Sequence, residues 1–331
     1  MADLPIVNFL TQWGPETTFG TGVAATKVLT SLGLSRFSPM GSGKQFRAQG
    51  NKLPSASTAV GRRRTEANLQ GFMDFNELVY VLCAGIKNVT PTSDGTNGKK
   101  WTFTYALSGA DVKKGFTIES GDTVHAQKSS SNLVTDITLD MSWENAAISG
   151  KLVGQALQDD ITITPALTPG PLVVMNPATF GIKTAALQAS LTAASEFTRP
   201  FSAQLTIPGI LQPLNRMSTT DTSHVAMIEQ ALEGMRLKLV TGADDADMAF
   251  LANWTAGSIV WFRVQNLGAV IAGAIPSAYN FELDMACKVI DPYTPGELNG
   301  AATAEWNFNL EYDATSAYAF RLAVTNTLAS L

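Results

Sequence analysis

The stretch from Ala304 to Val324 constrains the fold most. Trp306, Phe308, Leu310 and Tyr312 alternate with Glu305, Asn307, Asn309 and Glu311, and the pattern resumes with Tyr318, Phe320, Leu322 and Val324. Strict period two, one face apolar and one polar, is the signature of a half-buried antiparallel strand. The break at Asp313-Ala314-Thr315-Ser316 is short enough for a turn, so a closing hairpin is expected. Such a hairpin needs a core on one side and leaves acids and amides on the other.

The same alternation recurs along the chain. Trp101, Phe103, Tyr105 and Leu107 alternate, as do Phe116 and Ile118. Leu133, Ile137, Leu139, Met141 and Trp143 interleave with Asp136, Thr138 and Asp140, and a weaker strand runs from Ile148 to Leu157. Further strands are expected over Ile182–Leu191, Phe201–Ile207, Met235–Leu239, Ile259–Val264 and Tyr279–Met285, while Val225–Leu232 fits a helix or a strand. One helix stands out at residues 73–86. Phe75, Leu78, Val79, Leu82 and Cys83 share a face, Asp74 is placed to cap it and Gly85 to stop it. Residues 33–65 and 87–99 read as long polar loops, the second with a hairpin tip at 93–98.

A length of 331 residues admits one large or two ordinary domains. The Pro-rich segment Pro165, Pro169, Gly170, Pro171 and Pro177 is the clearest linker. It divides the chain into two mainly antiparallel β units, 1–165 and 166–331, with no clear repeat between them. Charge separates the same halves: 15 basic against 14 acidic residues in the first, and 8 against 14 in the second. Clustered positive charge of the kind that grips nucleic acid is therefore not the general character of the chain. Only 15% of residues are charged, against a typical ~25%. So bare a surface points to a chain covered by copies of itself.

Motifs for chemistry are scarce. His125 and His224 stand in polar surroundings without ligand spacing, and both read as exposed loop histidines. Asp159-Asp160 and Asp244-Asp245-Ala246-Asp247 read as solvated turns, with a cation site as the sharper alternative. Gly41-Ser42-Gly43-Lys44 lacks the first glycine of a phosphate loop. Arg62-Arg63-Arg64 reads as a solvated or salt-bridged patch, nucleic-acid contact being the alternative. Cys83 and Cys287 form no disulfide or zinc pattern. Met1-Ala2-Asp3-Leu4 lacks the basic start of a signal peptide, and the apolar run Leu78–Ile86 is too short to span a bilayer, so synthesis in a reducing cytosol without membrane insertion is expected. No catalytic residue, metal or cofactor is expected.

Taken in order, several segments resemble the bacteriophage tail tube proteins, the major tail proteins of long-tailed phages. They are Trp13-Gly14-Pro15-Glu16-Thr17-Thr18-Phe19-Gly20-Thr21, the helix from Gly71 through Gly85, Phe116–Gly121, Leu133–Leu139, Ile148–Gly154, and the closing pair Ala304–Asp313 and Phe320–Asn326. The resemblance implies β-sandwich or barrel units with a flanking helix, closed into rings that stack around a lumen for double-stranded DNA. Family members are mostly one unit long and hexameric. The double length here implies two units per chain, with three chains giving a pseudo-sixfold ring, or else a hexamer with one elaborated unit.

A DNA conduit should repel phosphate weakly, so that the duplex slides. Asp136, Asp140, Glu282, Asp284, Glu305 and Glu311, on polar strand faces, are the candidate lumen acids. Trp13 and Phe19, in an opening segment that reads as an extended arm with tight turns, and Arg62, Arg63 and Arg64, in the expected loop, are the candidate contacts between rings. The implied partners are further copies of the chain, a tape measure protein, DNA without sequence-specific binding, and tail-tip and tail-terminator proteins. The implied location is the virion tail, after synthesis in the cytoplasm of a bacterial host. A capsid decoration protein and a receptor- or carbohydrate-binding β protein are the alternatives.

Overall fold

The computed structural model describes residues 9–45, 49, 52, 58–122, 124–217, 223–231, 233–243 and 248–331. The residues read for a signal peptide and the run Asp244-Asp245-Ala246-Asp247 lie outside these. The strands of the first half are β1 (Leu10–Pro15), β2 (Lys27–Leu29), β3 (Leu32–Leu34), β4 (Ser38–Gln45), β5 (Thr58–Phe72), β6 (Thr92–Asp94), β7 (Gly98–Phe103), β8 (Phe116–Gly121), β9 (Ala126–Ser142), β10 (Ala146–Gly154) and β11 (Gln158–Ile161), with helix α1 (Leu78–Gly85) between β5 and β6. Those of the second half are β12 (Phe180–Ala185), β13 (Pro200–Ile207), β14 (Leu211–Leu214), β15 (Ala226–Glu229), β16 (Arg236–Gly242), β17 (Ile259–Ile271), β18 (Ser277–Val289), β19 (Thr294–Leu298), β20 (Ala301–Leu310) and β21 (Phe320–Asn326), with α2 (Ala249–Ala256) after β16. Strand makes up 53% and helix 7%, which places the chain among mainly antiparallel β proteins.

Three runs of pairing organise these strands. One goes β4–β5–β10–β9–β13–β16–β20–β19. A second goes β12–β17–β18–β21–β7–β6 and touches the first where the end of β18 meets β20. A third goes β2–β1–β8–β9–β11 and uses the first part of β9. Strand β9 serves two runs because it is 17 residues long. Two ladders, β9 with β13 and β7 with β21, cross the expected boundary near residue 165. The main buried cluster likewise draws on both halves, from Trp13 to Val324.

The closing pair differs from its expectation. β20 and β21 are both strands, but they are not hydrogen-bonded to each other. β20 lies between β16 and β19, whereas β21 lies between β18 and β7. The turn is closed by the Asp313–Tyr318 bridge, the Ala317 N–H to Asp313 carbonyl bond (2.8 Å) and the Ser316 N–H to Asp313 side-chain bond (2.9 Å). Both apolar faces still meet one core, with Trp306, Phe308, Phe320, Leu322 and Val324 all buried. The turn therefore carries the chain from one run to another.

Other boundaries shift for local reasons. Helix α1 starts at Leu78 because Asp74 Oδ1 accepts the N–H groups of Asn76 (2.8 Å) and Glu77 (3.0 Å) in a preceding turn. All eight of its residues are buried, so it has no wet face. Gly85 belongs to the helix rather than ending it; an added Cβ would meet Ile137 Cδ1 at 2.7 Å, so glycine allows close approach to β9. The Pro-rich linker is stitched to the helix entry by Phe75 N–H to Val173 O (3.0 Å) and Met175 N–H to Met73 O (2.9 Å). Much of the expected loop 33–65 is the β4–β5 hairpin, and Arg62-Arg63-Arg64 lies on β5. β7 stops at Phe103, leaving Leu107 exposed. Val225–Leu232 contains strand β15. Helix α2 was not legible; its single buried side chain, Phe250, sits against Phe262, Trp306 and Phe308.

Candidate functional site

The six candidate acids divide by strand. On β18, Asp284 is 0% exposed and sits between Arg263 of β17 and Arg321 of β21, both directly opposite it in register. Arg263 donates Nε to Asp284 Oδ1 at 2.6 Å and Nη2 to Oδ2 at 2.8 Å, and Arg321 donates Nη2 to Oδ2 at 2.7 Å. Glu282 joins the row, 3.5 Å from Arg263 and 3.2 Å from Arg321. Gln188 and Thr192 cover it, Thr192 accepting from Arg263 Nη1 at 3.3 Å. The Asp284 bonds hold the Arg263 guanidinium above its ordinary pKa. The reading of Asp284 as a lumen acid is thus corrected: its carboxylate balances buried arginines and faces no solvent. Glu282 is tied to the same row.

The remaining four acids are partly exposed. Glu305 pairs with Lys238 at 2.8 Å, and Glu311 with Lys288 at 3.7 Å. Asp136 and Asp140 share a face of β9 and have no ion pair among the described residues. Lys151 stands opposite Asp136 in register but turns to Glu66 at 2.8 Å and holds that carboxyl below the ordinary range.

Of the five expected ring contacts, Trp13 and Phe19 lie within the fold, and the three arginines lie at a surface cavity. Trp13 is 0% exposed, because β1 is paired on both sides and its ring packs on Phe116 (centroids 5.0 Å apart) and Tyr80 (6.4 Å). The buried Glu16 carboxylate anchors the same segment by accepting from Thr117 Oγ1 (2.7 Å) and Ser131 N–H (2.7 Å). The arm reading of Trp13 is corrected accordingly. Phe19 is half-buried against Leu133, Ile210 and Leu211.

The three arginines do reach a surface feature. With Met40, Arg216 and His224 they line an open cavity of about 1000 Å³. Arg62 donates to the carbonyls of Ser223 (3.2 Å) and Arg216, and Ser223 Oγ donates to the Arg63 carbonyl at 2.6 Å. Arg64 pairs with Glu66 at 2.7 Å. His224 corrects another expectation. It is 2% exposed, neither ring nitrogen has a hydrogen-bond partner among the described residues, and burial, helped by the Arg64 charge, lowers its pKa to about 4. His125 is half-exposed beside Arg36 (3.1 Å) and Asp159 (3.4 Å). Nothing in the polar run around His224 marks it as buried.

A second cavity, of about 530 Å³, lies between the 104–111 segment and Glu229. Its charges are matched: Lys87 pairs with Asp111 at 2.8 Å, and Lys113 pairs with Glu229. Cys83 and Cys287 are buried thiols, and burial pushes Cys83 up to about 12. Among the described residues, no group of three or more His, Cys, Asp or Glu is arranged to hold a metal ion, and no helix is long and apolar enough to cross a membrane. Comparison of the chain with protein-family models and with curated protein sequences finds no match.

Proposed function

We propose that this chain is a structural virion protein that polymerises as stacked rings into a phage tail tube, a conduit for double-stranded DNA. The observation that carries the reading is the amount of pairing surface left open. Among the described residues, β4, eight residues long, is paired only with β5, and β19 only with β20. The β17–β18 hairpin projects exposed apolar residues, Val270 (71%) and Ile275 (67%), at its end. Open strand edges and bare apolar tips are aggregation liabilities on a free monomer, and closure into symmetric rings removes them. The mainly antiparallel fold, and strands at the places where the family segments were read, agree with this.

In this proposal each chain supplies two β-sandwich-like units interleaved through the β9–β13 and β7–β21 ladders, and three chains make a pseudo-sixfold ring. Asp136 and Asp140 are the acids assigned to the lumen wall. A tape measure protein and DNA occupy the lumen, and tail-tip and terminator proteins bound the tube. Negative-stain electron microscopy of the protein expressed alone, across a concentration series, tests it. Hollow cylinders with a regular axial repeat are expected, and top views separate three- from sixfold rings. Discrete particles both alone and with purified tail-tip complex would overturn it.

A further inference from the structure

The arginine-lined cavity gathers several positively charged residues around one hollow. Among the described residues its lining holds Arg62, Arg63, Arg64 and Arg216 and no acid. The nearby carboxylate of Glu66 is already taken by Arg64 (2.7 Å) and Lys151 (2.8 Å). Guanidinium groups converging on one hollow attract an oxyanion and bind it with directed, charge-assisted hydrogen bonds.

His224 is the independent sign of a ligand. The residue is only 2% exposed yet lines this hollow, and neither Nδ1 nor Nε2 has a hydrogen-bond partner among the described residues. A buried polar group left unsatisfied costs about 1–3 kcal/mol, and native chains rarely leave one so. Among the described residues, Phe19 lies against the ring at 6.0 Å between centroids, and the residue's own carbonyl accepts from Gln155. Met40 and Met217 give the cavity adaptable apolar walls, and its size fits a small organic molecule. The bonds joining Arg62, Arg63, Arg216 and Ser223 hold its rim in place.

We propose that this cavity binds a small organic oxyanion, a phosphate or carboxylate group on an apolar body, with the anion on Arg64 and Arg216 and a hydrogen bond to His224. Because the imidazole is held neutral, it presents one N–H donor to the anion's oxygen. The proposal does not depend on the chain forming a tube.

Calorimetric titration with phenyl phosphate, benzoate and inorganic phosphate, together with ring ¹⁵N shifts of His224, provides the test. Saturable binding of phenyl phosphate or benzoate is expected, about tenfold or more tighter than inorganic phosphate, because the methionine walls add apolar contact. Arg216→Gln, at an exposed position, should weaken it about tenfold, as expected for one lost charge-assisted bond. His224→Gln should weaken it too, and the ring nitrogens of the unaltered protein should shift on binding. No saturable binding of either aromatic anion, affinity unchanged in Arg216→Gln, or ring shifts that do not follow the titration would each overturn the proposal. The Arg216 and ring-shift results decide the matter even where His224→Gln fails to fold.

Discussion

Replacing Asp284 by asparagine asks whether the acids of β18 belong to the fold or to a surface. The carboxylate takes a two-pronged contact from Arg263 (2.6 and 2.8 Å) and a third bond from Arg321 (2.7 Å). Asparagine keeps the shape and one acceptor, so the change isolates the charge. What decides the magnitude is the group left behind. The Arg263 side chain is only 8% exposed, and without Asp284 its nearest anion is Glu282 at 3.5 Å. Removing one partner of a buried pair costs about 3–5 kcal/mol. Glu282 remains, so the lower end, about 3 kcal/mol, is expected. Arg321 contributes less because it is more exposed and keeps Glu282 at 3.2 Å. Urea unfolding of the disassembled protein, followed by tryptophan fluorescence, measures the loss. Glu305→Gln is the matched comparison, since the Glu305–Lys238 pair is well exposed and should be worth under about 1 kcal/mol. The double change Asp284→Asn with Arg263→Gln should cost less than the sum of the single changes. Asp284→Asn within about 0.5 kcal/mol of the parent, as for an ordinary surface change, would refute the reasoning and return Asp284 to the surface candidates.

Three further outcomes follow from the same structure. His224, held near 4 in the fold against an ordinary ~6.5, resists protonation that the unfolded chain accepts. Its contribution is therefore complete above about pH 6.5 and is lost toward pH 4, by about 1.4 kcal/mol per unit. Urea midpoints should fall more steeply over that window in the parent than in His224→Phe, and equal slopes would contradict the assignment. Gly257 ends α2 at φ 61°, with its N–H on the carbonyls of Asn253 and Trp254, so Gly257→Ala should lose about 1 kcal/mol in a thermal melt. An unchanged melt would mean that the left-handed cap is not formed. Phe250→Ala removes the only buried side chain of α2, which packs on Phe262, Trp306 and Phe308 at 5.5–5.6 Å between centroids. A loss of about 3–5 kcal/mol is expected, with faster hydrogen exchange across residues 249–256, and protection equal to the parent would refute it.

Strands over Trp306–Leu310, Phe320–Val324 and Leu133–Met141 were legible because alternate burial imposes period two on the residues themselves. The helix near Leu78 was legible because its apolar residues recur at helical spacing. Pairing partners were not. β20 and β21 look like a hairpin in sequence, yet β20 pairs with β19 and β16, and β21 with β18 and β7. Polarity is ambiguous in the same way. Asp284 alternates like a wet residue, and only the register of three strands, which sets Arg263 and Arg321 on either side of it, makes it a buried one. Trp13 in a turn-rich opening and His224 in a polar run show the reverse, where local composition signals solvent and distant strands cover the side chain. Alternation is a local property of consecutive residues, so the mainly β class of structure can be read without knowing which strands pair. Which polar groups are buried, paired or gathered around the arginine-lined cavity depends on contacts between segments far apart in the chain, Arg62 with Ser223 (161 residues) and Asn326 with Phe75 (251 residues) among them, and so is settled by the tertiary fold.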